Sequence, residues 1–396
     1  MVILLDNLNE LILMKRIILY SLLVAAILFS CAPVKESVID FSKAVGENET
    51  PLLSSLASEI RYIPLETQQE SVLDRPTHIY VYNSEIFIEC HMMKFFRVFD
   101  TNGNYLRTVD RHGNGPEEYR TFFDSTFEME GDGVISVLER YMIRRYDTQG
   151  NFIGTIELDQ NALRYYRNLE YLGNGMYKLD ATVNDSVSVV LFDSNGKEID
   201  SKLVGISFTQ KYESISLSVP PVVSFSNDNF LVQNVGKDTI YRYDRNLNRS
   251  FAYQIDCGKY DYLYKTNDMF NMIQFAIGCL IDSQNYLILG VTLPKNEFAH
   301  LQNDNAESFR LIYEKSTGKT YFPKVGPQYK VPGFKNDLDN GPAFSPKYLV
   351  GNKMYSFIDA IDFIESAEFS GSEQMKEVAS KLTEDSNPVL VEVTLK

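Results

Sequence analysis

One turn signature recurs along this chain at nearly constant spacing, and it restricts the fold more than any other feature. An aromatic residue, an aspartate, two further residues and a glycine appear as Phe99-Asp100-Thr101-Asn102-Gly103, Tyr146-Asp147-Thr148-Gln149-Gly150 and Phe192-Asp193-Ser194-Asn195-Gly196. Weaker copies follow at Tyr243-Asp244-Arg245-Asn246-Leu247 and Tyr313-Glu314-Lys315-Ser316-Thr317-Gly318, with the acidic positions spaced 47, 46, 51 and 70 residues apart. Aspartate accepts hydrogen bonds from turn amides, and glycine enters the left-handed region without steric cost, so each copy predicts a tight hairpin. A second turn series interleaves with the first: Asn83-Ser84, Asp132-Gly133, Asn174-Gly175, Asn227-Asp228-Asn229, Gln284-Asn285 and Gly351-Asn352. Apolar runs such as Ile79-Tyr80-Val81-Tyr82 and Ile86-Phe87-Ile88 flank these turns. Two hairpins per unit require four strands, and a four-stranded unit of about 40–50 residues is a propeller blade. The second series has six members. The expected fold is therefore all-β, a six-bladed β-propeller with short helical insertions.

The last repeat shows how the ring should close. After Gly351-Asn352 comes a strand, Met354 to Ile358, and then the pattern breaks. Ser372 can cap a short helix whose Met375, Val378, Ala379 and Leu382 share one face. Val389 to Leu395 reads as a further strand. This blade lacks its fourth strand, which Ile60-Arg61-Tyr62-Ile63-Pro64-Leu65 can supply from the N-terminal side, Pro64 being suited to an edge. Closure of this kind removes a free sheet edge. Two insertions, roughly 257–275 and 293–307, are expected as loops or short helices on one rim. The propeller then spans 60–396.

The start of the chain carries a different signal. Met14-Lys15-Arg16 is a basic segment, and Ile17 to Phe29 is an uncharged, mostly apolar run of 13 residues. That suits a signal peptide and is short of the roughly 20 residues of a membrane span. The run ends Leu28-Phe29-Ser30-Cys31, which resembles the bacterial lipobox, and that resemblance implies diacylglycerol on the Cys31 thiol and cleavage before it. Residues 1–30 are then a signal segment, with Met14 a candidate true start, and 31–59 a solvated tether. The competing reading is an apolar strand or helix that ends in cysteine.

The formal net charge of −15 argues against nucleic acid as a partner and against electrostatic docking on anionic lipid. Cys90 reads as core, while Cys257 and Cys279 are open to two readings, a disulfide after export or two buried thiols. No cofactor or metal is expected: His78, His91, His112 and His300 form no ligand-spaced cluster. No nucleophile elbow, phosphate-cradling loop or calcium loop appears either.

The chain resembles the six-bladed β-propeller lipoproteins of Gram-negative gut-type bacteria, which are similar in form to NHL-repeat propellers. Besides Cys31, the residues that carry this are Arg61-Tyr62-Ile63-Pro64-Leu65-Glu66-Thr67, Phe99 to Asn104, Gly113-Asn114-Gly115-Pro116-Glu117-Glu118-Tyr119 and Asn387-Pro388-Val389-Leu390. The resemblance covers nearly all of the mature chain and is weakest over 203–340. It implies a propeller held at the cell envelope, on the outer membrane, and implies no particular activity.

The densest local candidate for a binding site is the loop Arg111 to Tyr119. Arg111 can pair with a carboxylate or phosphate in bidentate fashion, and His112, Glu117 and Glu118 can move protons. Tyr119 closes the loop, and Arg75 sits in the equivalent loop before blade 1. The alternative is a structural crossing, in which Gly113, Gly115 and Pro116 make the turn and the acids pair locally. Tyr165-Tyr166 and Tyr260-Asp261-Tyr262 offer stacking surfaces or half-buried packing. No catalytic residue is assigned. The function expected is a lipid-anchored binding or scaffold propeller for a glycan or protein partner. The alternative is a glycan-directed lyase or hydrolase that draws its residues from several blades.

Overall fold

The computed structural model describes residues 37–396, apart from 91–94, 121–125, 160–163, 212–215, 227–228, 267, 295–297, 299–308 and 325–331. The described strands form six blades and one separate two-stranded hairpin, Phe208–Lys211 with Ser216–Val219. In chain order, blades 1 to 3 comprise Pro76–Tyr82, Glu85–Cys90, Phe96–Asp100 and Tyr105–Val109, then Thr126–Met129, Ile135–Glu139, Met142–Tyr146 and Phe152–Glu157, then Tyr165–Gly173, Met176–Val183, Ser186–Phe192 and Glu198–Ile206. Blade 4 comprises Val222–Ser226, Asn229–Gln233, Thr239–Asp244 and Arg249–Asp256, and blade 5 Ala276–Asp282, Tyr286–Thr292, Phe309–Glu314 and Lys319–Tyr321. Blade 6 is built from Tyr348–Val350, Lys353–Ile358 and Val389–Leu395, with Ala57–Pro64 hydrogen-bonded alongside as its outermost strand. The ring is thus closed by the N-terminal strand, as the sequence implied.

Each blade has a neighbour on both faces, and the strands record this. Second strands are buried almost throughout, as in Ile135–Glu139, where all five residues are inaccessible, whereas the outer strand Glu198–Ile206 is mostly exposed. Alternate residues of one second or third strand serve two different cores. Val187, Val189 and Leu191 face blade 4, and Val190 and Phe192 face blade 2. Six apolar clusters result, one at each interface between adjacent blades. A strand covered on both faces must be apolar on both, which is why these runs do not alternate polar with apolar.

The predicted turns behave as their chemistry requires. Asp100 Oδ1 accepts from the amides of Asn102 and Asn104 at 2.8 and 2.9 Å. Asp147, Asp193 and Asp244 repeat this arrangement. These hydrogen bonds hold all four carboxyls below their ordinary range. The turns also join blades. The Gly103 carbonyl, on blade 1, accepts from Glu66 N at 2.8 Å just past the outer strand of blade 6. The Gly196 carbonyl, on blade 3, accepts from Asp159 N at 3.2 Å just past the outer strand of blade 2.

Ser372 caps the helix Glu373–Ala379 through the Met375 amide, and Met375 and Val378 are buried, as expected. A second helix, Ala360–Phe369, precedes it and seats Phe363 edge-on against Tyr62 at 5.5 Å. The 257–275 insertion is helical, with a 3-10 turn at Gly258–Tyr260 and helices Asp261–Tyr264 and Met269–Gln274. Most of 293–307 lies outside the described residues, as do Cys31 and the signal segment. Among the described residues no helix is long and apolar enough to cross a membrane.

One expectation is corrected. Residues 38–56 are not part of a solvated tether. Val38–Asp40 adds a fifth strand to the outer edge of blade 4, Phe41–Glu47 is a helix, and Leu53–Leu56 is a further helical turn. Phe41 and Leu53 are fully buried. The charged residues between them masked a segment that is anchored by isolated apolar side chains.

Candidate functional site

The loop 111–119 is consumed by the scaffold. The Arg111 Nε donates to the Gly150 carbonyl in the third-to-fourth-strand turn of blade 2. Glu118 folds back so that Gly115 N donates to its Oε2 at 2.8 Å. Tyr119 is buried edge-on between Phe127 and Tyr146, at 5.4 and 5.8 Å. Arg144 and Tyr146 of blade 2 donate to the carbonyls of Pro116 and Glu117 at 2.6 and 3.0 Å, which pins the loop over that blade's third strand. His112 and Glu117 are left exposed at the surface. Arg75 is also exposed, 3.9 Å from Asp74, and an exposed pair of that kind contributes little. The structure therefore favours the crossing reading of this loop and does not bring the six residues together around a ligand position. Tyr166 is packing, Tyr260 is partly buried against Phe41, and Tyr165 and Tyr262 are exposed. Cys90, Cys257 and Cys279 are buried free thiols, and burial pushes them up to about 11, 12 and 12.

The polar groups that the scaffold leaves over lie on the first strands of the blades, which line the ring's centre. In blades 1, 2 and 3 these strands read Ile79-Tyr80, Phe127-Glu128 and Leu169-Glu170. Ile79, Phe127 and Leu169 are buried in the interblade cores. Successive strand residues face opposite ways, so Tyr80, Glu128 and Glu170 hold equivalent positions on the other face of these innermost strands, and Tyr80 packs edge-on against Phe96 of blade 1. Tyr80 donates through its hydroxyl to the Phe127 carbonyl at 2.8 Å. Burial raises its ionisation well above normal, and the charges of Glu128, Glu89 and Glu170 raise it further.

Burial pushes the Glu128 carboxyl up to about 8, and the neighbouring Glu170 adds to this. The Tyr171 amide, which donates to Glu128, and the Lys178 ammonium work in the other direction. Glu170 is likewise pushed up to about 8, mainly by burial, with Lys178 opposing the rise and Asp180 adding to it. Its Oε2 makes no hydrogen bond among the described residues, and neither does Arg167 Nε on the same strand. At one side of this group, His78 Nδ1 lies 3.3 Å from the buried Glu89 carboxylate, and the His78 ring stacks near Tyr80 and Tyr348. At the other side, the fully buried Lys178 pairs with Asp180 at 2.8 Å, and Asn168 Nδ2 donates to Asp180 at 2.7 Å. Asn168 has a left-handed backbone, φ 53°, at a bulge in the inner strand of blade 3. Two carboxyls that hold a proton near neutral pH, an imidazole and a phenol can donate to and accept from hydroxyl-rich ligands or transfer a proton.

Removing one member of the Lys178–Asp180 pair should be far worse than removing both. Lys178→Met leaves a buried carboxylate and is expected to destabilise by about 3–5 kcal/mol, whereas Lys178→Met with Asp180→Leu should recover most of it. Denaturant midpoints of the two variants test this. A double variant no better than the single one would show that the pair is not mutually compensating.

Sequence inspection missed this group because its members come from different blades. Their spacing, 48 residues from Tyr80 to Glu128 and 42 from Glu128 to Glu170, is close to the blade period. Aligning the first strands of the repeats exposes them.

A family profile described as a domain of unknown function, DUF4934, matches residues 36–394. The chain belongs to the DUF4934 family. Among solved structures it is similar to a Bacteroides fragilis protein assigned to the exported class, with a TM-score of 0.64 at 18% identity over 91% of this chain and 99% of that one. It is also similar to a member of the DUF4221 family from Bacteroides vulgatus, with a TM-score of 0.49 at 12% identity over 88% and 98% of the two chains. At such identities the first likeness shows the fold alone, and the second carries no argument. A comparison with curated proteins returns no match. The DUF4934 match begins two residues before the first strand of the N-terminal segment, so that segment is part of the family's domain.

Proposed function

We propose that this DUF4934 chain is an extracytoplasmic binding propeller, lipid-anchored through Cys31 to the outer membrane, that captures a hydroxyl-rich ligand such as a glycan at the centre of its ring. The observation that carries the reading is the Tyr80–Glu128–Glu170 group. It is half-buried, polar and only partly satisfied by the protein, whereas the other candidate loop is spent on structure. The likeness to an exported Bacteroides protein and the lipobox-like end of the signal segment support the location. Nucleic acid is not part of the proposal, given the net charge of −15. A second reading, a glycan-directed lyase or hydrolase, is favoured by one observation: two neighbouring carboxyls that keep a proton at neutral pH are equipped for general acid catalysis.

The test is thermal unfolding of the 32–396 chain against oligosaccharides, divalent metals and peptides. Ligand at about 100 times its Kd should stabilise by roughly 2.7 kcal/mol, and the shift should be lost in Glu128→Gln with Glu170→Gln. A shift that survives in that variant would move the site away from the ring's centre. Shortened oligosaccharides in the incubation would favour the enzyme, and an unchanged oligosaccharide that still shifts the midpoint would favour the binder.

A further inference from the structure

The N-terminal segment decides which edge of the ring is held near the membrane. From Val38 onwards the chain is locked to the outside of the propeller. Asp40 N donates to Thr320 Oγ1 of blade 5 at 3.1 Å, and Asp40 Oδ1 caps the following helix through Lys43 N at 2.8 Å. Phe41 sits among the rings of Tyr260, Phe275, Phe298 and Phe322 at 5.7, 5.3, 6.3 and 6.1 Å. Further along, Glu49 pairs with Lys319, and Lys335 N donates to the Pro51 carbonyl at 2.8 Å. Leu53 N then donates to the Lys335 carbonyl, also at 2.8 Å, and Ser54 Oγ to Asp337 at 2.6 Å, just before the ring-closing strand. The strap therefore runs from blade 4 past blade 5 to blade 6 without a free stretch long enough to swing.

Only residues 32–37 separate Cys31 from this strap. Such a leash reaches at most roughly 25 Å. A compact body of this length has a radius of gyration of roughly 21 Å, so its far side lies on the order of 50 Å from the attachment. The near edge consists of the helix Phe41–Glu47 and the adjoining Gly258–Tyr264 turn. There Lys43 and Lys259 are exposed, and Tyr262 is 64% exposed. Tyrosine and lysine side chains have apolar bodies with polar ends and suit a lipid interface.

We infer that this edge, at the junction of blades 4 and 5, is the membrane-proximal rim of the ring, and that blade 1 points away from the lipid. The inference rests on the reading that Cys31 carries the anchor. It is tested on the full lipidated chain in phosphatidylcholine vesicles containing nitroxide lipids. An azide-bearing phenylalanine replaces either Tyr262 on the rim or the exposed Leu106 on the outer strand of blade 1, and carries a clicked dye. Quenching at 262 is expected to exceed that at 106 at least threefold. Equal quenching, or stronger quenching at 106, overturns the inference. A 20-residue Gly/Ser insertion between Lys35 and Glu36 leaves the strap intact and should equalise the two positions. A bias that persists would show that the leash does not set the orientation. The anchor reading is checked separately by the mass of the N-terminal peptide. If Cys31 bears no lipid, a maleimide lipid coupled to its thiol repeats the quenching experiment, since the other three cysteines are buried.

Discussion

A Gly196→Ala protein is expected to lose about 3 kcal/mol of stability, against about 1 kcal/mol for Gly351→Ala. Both glycines have a positive φ, 78° and 59°, so both substitutions strain the backbone. They differ in what surrounds them. A Cβ at Gly351 would meet open space, whereas one at Gly196 would collide with the backbone carbonyl of Glu157 at the end of blade 2's outer strand. Gly103 stands in the same relation to the Pro64 carbonyl on blade 6, so Gly103→Ala should resemble Gly196→Ala. Backbone cannot rotate aside as a side chain can, and the neighbouring blade would have to shift. Denaturant midpoints of the three variants measure the effect. Equal losses at 196 and 351 would mean that the close approach between blades contributes nothing beyond the turn itself.

The contrast explains why so much of the ring could be read from the sequence. Asn83, Asn174 and Gly133 adopt left-handed backbones, and the aspartates at 100, 147, 193 and 244 close their own turns. These are local demands, met by residues within a few positions of one another. Leu247 shows the limit. It stands where the other copies have glycine, with φ 57°, yet it is buried between blades 3 and 4, so tertiary packing has overridden the turn preference. The strap was not legible for the same reason in reverse. Its strand has three residues and its first helix seven, too short to stand alone, and it holds only because Ile39, Phe41 and Leu53 find partners far along the chain.

The candidate site was illegible for a further reason. Arg111, His112, Glu117 and Glu118 form a dense, chemically suggestive run, but a sharp crossing between blades needs backbone donors and acceptors satisfied; Arg111 and Glu118 supply that, and His112 and Glu117 stay at the surface. Tyr80, Glu128 and Glu170 look unremarkable beside their neighbours, because a single polar residue on a strand is ordinary. Only the ring brings them together, and the sole trace of this in the sequence is their shared place in the repeat.

The second large effect concerns that group and runs against the usual acid sensitivity of proteins. Glu128 and Glu170 both ionise near 8 in the folded ring, mainly because of burial, whereas an unfolded glutamate ionises near 4.3. Between these values the folded chain binds more protons than the unfolded one, so stability falls as pH rises through the window. The protein is therefore expected to be more stable at pH 5.5 than at pH 8.5. Taken singly, each shift would correspond to ~5 kcal/mol. The groups are only half-buried, Lys178 offsets part of the burial, and the two titrate as a pair. A difference on the order of 3 kcal/mol is expected, or roughly 5 °C in Tm. The turn aspartates, held low, act in the opposite sense, and only as the pH drops below about 4. Glu128→Gln with Glu170→Gln keeps an acceptor for the Tyr171 amide and removes both charges. Its Tm should be higher than that of the natural chain at pH 8.5, similar at pH 5.5, and nearly flat between. A natural chain whose Tm rises from pH 5.5 to 8.5 would mean that the two carboxyls ionise freely, and the ring's centre would then lose its claim to be a proton-holding ligand site.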